Sequence, residues 1–163
     1  MIFSFSISLI GLLFLLINAI LFFYSRKGKD KVYFFLMLYL MIQFVVELCC
    51  NIIGFLYPNE NFFLSHYYFI IQFILLSFFF SNVLLNPFLK KLVYINLILV
   101  LLSLGFQYAE TPSLYWKFNN YEIGVTSLLL IFYSIIYFYE NISNTYIYHY
   151  FCVGLTFYLT SSC

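Results

Sequence analysis

Tyr39, Gln43, Glu47 and Asn51 recur every four residues inside an otherwise apolar stretch, "FFLMLYLMIQFVVELCCNIIGFLY" (34–57). On a helix that spacing sets all four close to one face, with Gly54 on the same side. A carboxylate and two amides on one face can bind a polar ligand, hold a proton or tie two helices together. An acid turned to lipid would cost at least about 2.5–3.5 kcal/mol, so this face is expected to point into the protein. The next apolar stretch supplies partners: "FFLSHYYFIIQFILLSFFF" (62–80) carries Ser65, His66, Tyr67, Tyr68 and Gln72. The connection between the two stretches is short, around Pro58 to Asn61, so they are expected to pack antiparallel. Counting outward from it pairs Glu47 with Gln72 and Asn51 with His66. The expected candidate pocket is therefore Glu47, Asn51, Gln43, His66, Gln72 and Tyr39, in the outer half of a membrane. The competing reading of the same residues is structural: a hydrogen-bonded acid that glues two helices.

These residues sit in a chain that reads as all-α, a polytopic transmembrane bundle forming one domain over 1–163. Hydrophobic residues make up 65% of its 163 positions and charged residues 8%, with a mean hydropathy of +1.00. Soluble domains have about 25% charged residues, and a small domain has the most surface to cover, so a soluble globule is excluded. Six apolar segments, about 2–24, 32–57, 62–86, 92–109, 122–139 and 146–163, each hold 18 or more residues. That length spans a hydrocarbon core of about 30 Å as a helix. Nothing alternates with the period of a barrel strand. The breaks "SRKGKDK", "PNEN", "NPFLKK", "ETPSLYWKFNNY" and "ENISNT" are polar, and Pro58, Pro87 and Pro112 fall in or beside them. The first segment has no Lys or Arg ahead of it and exceeds the length of a signal-peptide core, so it reads as a retained helix.

Arg26, Lys27, Lys29 and Lys31 lie in the first connection and Lys90 and Lys91 in the third; only Lys117 lies on the other side. The positive-inside rule then makes the side of the first and third connections cytoplasmic and sets the N-terminus outside. Tyr115 and Trp116 suit the outer interface, and "NIS" at Asn141 falls in a cytoplasmic connection, where a glycosylation match has no meaning.

Lipids are the expected surroundings, and a net charge of +1 gives no footprint for nucleic acid. Ser4, Ser8, Gly11 and Asn18 share one face of the first segment, a pattern for close helix contact with a neighbouring helix, a protein partner or a second copy. Asn96 and Ser103 share a face in the fourth segment. Thr126, Tyr133 and Tyr137 do so in the fifth, with Glu140 at its inner end. Cys49, Cys50, Cys152 and Cys163 lack metal or redox spacing, and His66 and His149 lie near opposite faces, so no metal or cofactor is expected. No nucleotide-binding, zinc-protease or serine-hydrolase motif occurs.

The pieces "QFVVELCCNIIGFLY", "FFLSHYYFIIQFILLSFFF", "IGVTSLLLIFYSIIYFYE" and "FYLTSS" together resemble a group of uncharacterised bacterial multi-pass membrane proteins, rich in Phe and Tyr, with about seven helices. The resemblance implies a polytopic inner-membrane protein, carries no activity with it, and implies that a seventh helix normally follows the sixth in that group, one that this chain is expected to lack. The first functional expectation is a receptor-like or sensory bundle with a small ligand in the outer-half pocket. The alternatives are a lipid-modifying enzyme using Glu47 and His66, and a small proton-coupled carrier. The enzyme has only one acid and one nearby His to work with, and the carrier shows no inverted repeat or broken helix.

Overall fold

The structure is a computed structural model and describes residues 2–25, 29–57, 62–142 and 148–162, with side chains from 8 to 160 among them. Ser4, Arg26, Lys27, the 58–61 connection and Cys163 lie outside the described side chains. Six helices follow one another: α1 (Ile2–Tyr24), α2 (Lys31–Leu56), α3 (Phe62–Val83), α4 (Pro87–Glu110), α5 (Asn120–Glu140) and α6 (His149–Ser162). A 3₁₀ turn, Pro112–Trp116, lies between α4 and α5. Among the described residues there is no strand, and α2, α3, α4 and α5 are long and apolar enough to cross a membrane. The described part of α1 adds an apolar helix, Ser8–Tyr24.

Three helices depart from the apolar segments by three residues or more; α3 ends at Val83, short of the expected 86. The fourth helix begins at Pro87 rather than at 92, and so includes Lys90 and Lys91. The cause is local: Pro87 fits the first turn, and the Asn86 side chain caps it by accepting from Phe88 N at 2.9 Å. The sixth helix is 14 residues long, about 21 Å, which is shorter than the span expected over 146–163.

Helix α3 is the centre of the bundle and packs against α2, α4, α5 and the 3₁₀ turn. Its polar residues suit the position: His66, Gln72, Ser77 and Ser81 are buried on α3, and in an apolar setting such groups are accommodated among neighbouring helices. Phe73, Leu76, Phe79 and Phe80 are fully buried, as are Leu130, Tyr133 and Tyr137 of α5. Helix α1 packs on α2 and α6 on α5. The latter also reaches α3, where Phe79 meets Phe151 edge-on at 5.2 Å. Outward-facing Leu13, Phe14, Leu21, Ile98, Leu99 and Leu102 are exposed, as a lipid-facing surface requires. At the end opposite the 3₁₀ turn, Glu140 locks the corner. Its carboxylate accepts from Leu85 N at 2.7 Å and Asn86 N at 2.9 Å, two amides with no helical partner of their own.

Candidate functional site

The α2 stripe divides among three neighbours. Gln43 Nε2 donates to Gln72 Oε1 at 3.1 Å, and the two amides are 2% and 1% exposed. Tyr39 lies beside Gln43 in the same seam. Glu47, one helical turn nearer the 3₁₀ end, is half-buried. Asn51 turns the other way: its Oδ1 accepts from Ser8 Oγ of α1 at 2.7 Å. Its Nδ2 returns to the Glu47 carbonyl at 2.9 Å and reaches the Glu47 carboxylate only at 3.5 Å. The pairing read by counting from the α2–α3 connection is therefore corrected: Gln43, not Glu47, meets Gln72, and Asn51 meets α1. Gln43 and Glu47 share a face one turn apart, so for Gln72 the count errs in depth by one turn, and for Asn51 it leaves out α1, which supplies the partner.

Glu47 borders a cleft of about 380 Å³ with α3 as its floor. Cys50 lines the same wall; Phe62, Ser65, Tyr68 and Phe69 come from α3, Tyr158 from α6 and Phe118 from the segment before α5. Tyr68 and Tyr158 share a hydroxyl–hydroxyl hydrogen bond at 2.6 Å, which closes the far side. Among the described residues no Lys or Arg forms an ion pair with Glu47. The composition explains this: Lys117 is the one basic residue in the connections at this end, and it makes no such pair.

His66 belongs to a different centre. Counting 100° per residue, its ring is turned about a quarter of the helix away from Ser65 and towards α4 and α5. Its Nδ1 lies 3.0 Å from Glu122 Oε2 and 2.8 Å from the Tyr108 hydroxyl. The Tyr108 hydroxyl also donates to Glu122 Oε2. One hydroxyl hydrogen cannot serve both partners, so the network assigns the hydrogen on the ring to Nδ1. Asn119 Nδ2 reaches the Tyr108 oxygen at 3.2 Å and Gln107 Oε1 at 3.0 Å. Local sequence sets up this centre: Asn119 caps α5 by accepting from Glu122 N at 3.3 Å. Glu122 thus occupies the third position of an N-x-x-E start, where an acid also suits the helix dipole. Here its carboxylate turns inward to α3 and α4 instead of back to the cap. Glu122 is fully buried; its Oε1 and His66 Nε2 have no hydrogen-bond partner.

The 3₁₀ turn covers this centre. Tyr115 stacks at 30° on the His66 ring, 5.9 Å between centroids, and its hydroxyl meets that of Tyr67 at 2.9 Å. That bond, with partial desolvation, holds the Tyr115 phenol above the usual tyrosine range. The two centres meet in sequence: Phe118 lines the cleft while Asn119 is buried in the His66 network. The arrangement thus holds a carboxylate in an aromatic cleft beside a buried polar clasp in which two atoms, Glu122 Oε1 and His66 Nε2, lack a hydrogen-bond partner. No hydrogen bond joins Glu47 to His66 among the described residues, so the geometry that an acid–base pair of those two requires is not assembled. Glu122, Tyr108, Asn119, Gln107 and Tyr158 were not among the residues expected from sequence. Among the described residues no group of three His, Cys, Asp or Glu side chains is placed to hold a metal ion. No protein-family model, curated protein or solved structure matches the chain.

Proposed function

We propose that the chain is a multi-pass protein of the bacterial inner membrane that binds a small ligand in the Glu47 cleft, as a receptor-like or sensory bundle. On this reading the N-terminus and the 3₁₀ end face outside, the basic connections face the cytoplasm, and lipid surrounds the apolar faces. The same reading keeps the chain beside the Phe- and Tyr-rich bacterial membrane proteins that its segments resemble. The observation that carries it is a carboxylate standing in a cleft with no ion-pair partner among the described residues. An ionisable group within a membrane helix is costly and marks a functional site by default.

Cys50 provides the test, because it lines the cleft. In a variant with Cys50 as its sole thiol (C49S, C152A, C163S), a small-molecule extract of the native host is expected to slow alkylation by a maleimide. The further change Ser65→Trp fills the cleft and is expected to remove that protection. Equal alkylation rates with and without extract would overturn the reading. Reporter fusions in 25–31 and 110–121 test the orientation, and a cytoplasmic signal from 110–121 would reverse it.

A further inference from the structure

We propose that the Glu47 cleft takes a free lipophilic organic cation of the substituted-ammonium class; this rests on the reading of the cleft as a ligand site. Charge complementarity is the first ground. Glu47 is the one charged group lining the cleft among the described residues, and nothing described neutralises it. An occupant that carries a positive charge removes the cost of an unpaired carboxylate, whereas an anionic occupant adds to it.

The remaining lining is the second ground. Phe62, Phe69 and Phe118 contribute ring faces and edges, and the Tyr68–Tyr158 pair contributes two more rings. Aromatic rings around a cation are attractive through the ring quadrupole, most strongly where water is excluded, and this is how quaternary ammonium groups are held. The polar atoms here are oxygens of tyrosine and serine together with the thiol of Cys50, and none is a fixed cation that would repel such a guest.

The cleft runs from Phe62 and Phe118 at the 3₁₀ end of the helices to Glu47 within, and the test below separates a free cation from a lipid headgroup.

The test uses the full chain in nanodiscs of phosphatidylethanolamine and phosphatidylglycerol. Equilibrium dialysis measures benzyltrimethylammonium and its uncharged carbon isostere, neopentylbenzene. The expected result is that the cation binds more tightly than the isostere by about tenfold or more, and that Glu47→Gln removes this preference. Phe118→Ala, at an exposed loop position outside the helices, is expected to weaken the cation several-fold in a chain whose helical circular dichroism is unchanged. This second variant keeps the test open should Glu47→Gln fold poorly. If both compounds bind equally and Glu47→Gln changes neither, the cation class is overturned while the cleft remains a ligand site. If neither compound binds at millimolar concentration, the cation class fails and Cys50 protection decides the cleft separately. If phosphatidylcholine nanodiscs abolish binding of the cation, the occupant is a lipid headgroup and the free source is overturned.

Discussion

Replacing Glu122 by alanine should destabilise the bundle far more than loss of an ordinary hydrogen bond between membrane helices. Such bonds average only about 0.6 kcal/mol. Glu122 differs in two ways. It is fully buried, and one of its oxygens is shared by donors on two other helices, His66 of α3 and Tyr108 of α4. Alanine takes the carboxylate from the buried Nδ1–H of His66, which keeps only the Tyr108 oxygen at 2.8 Å, and loss of a hydrogen bond to a charged group costs about 1.5–3 kcal/mol. It also unties Tyr108 from α5, a further cost of about 1 kcal/mol for a half-buried hydroxyl that water reaches only in part. The expected total is about 2.5–4 kcal/mol, and Tyr108→Phe alone should cost about 1 kcal/mol because the His66–Glu122 contact survives. Denaturation in micelles, followed by the fluorescence of Trp116, gives the numbers. Trp116 is the chain's single tryptophan and packs edge-on against Phe63 and Tyr115 at 5.8 and 5.3 Å, so it reports on this end of the bundle. A double cycle with His66→Ala should return a coupling of about 1–3 kcal/mol. A Glu122→Ala chain within about 0.5 kcal/mol of the wild type would refute the reasoning, since that is the range of a surface change away from any such feature.

Two further outcomes follow from polar contacts elsewhere. Glu140→Ala should expose the Leu85 and Asn86 amides and weaken the α3–α4 corner by about 1–2 kcal/mol; amide hydrogen exchange at those two positions checks it, and unchanged protection would contradict the capping role. Gln72→Leu should cost about 1 kcal/mol by orphaning Gln43, whereas the double change Gln43→Leu and Gln72→Leu should recover most of it, because neither amide is then left unpaired; thermal unfolding of the three variants decides, and an additive loss in the double variant would count against the pairing.

Much of the architecture was legible because length and apolarity are one-dimensional properties. The helices at Ile2–Tyr24, Lys31–Leu56 and Phe62–Val83 lie where the apolar runs lie. Where apolarity stops being the cause, the boundaries move. Helix α4 starts at Pro87 because a cap and a proline begin it, and it carries two lysines that a hydropathy reading excludes. The polar stripe of α2 was legible as a face, and Gln43 and Glu47 do turn inward towards α3, where Gln43 meets Gln72. Which partner each meets was not, because that depends on how far α2 and α3 are shifted along each other and on α1 and α6, which a comparison of consecutive segments leaves out. His66 shows the same limit: it was matched with the helix before it, and its partners come from the two helices after it. Glu122 was hidden at the first position of an apolar segment, where an acid reads as the edge of a loop. The N-x-x-E start at Asn119 was the one signal that could have marked it as part of a helix.

The claim that the cleft is a ligand site is tested most directly by native mass spectrometry of the full chain extracted from its host membrane. The account predicts a non-covalent small-molecule mass on the wild-type protein that is lost in Glu47→Gln and in Ser65→Trp, with Tyr108→Phe retaining it. Identical spectra for the wild type and both cleft variants would contradict the account.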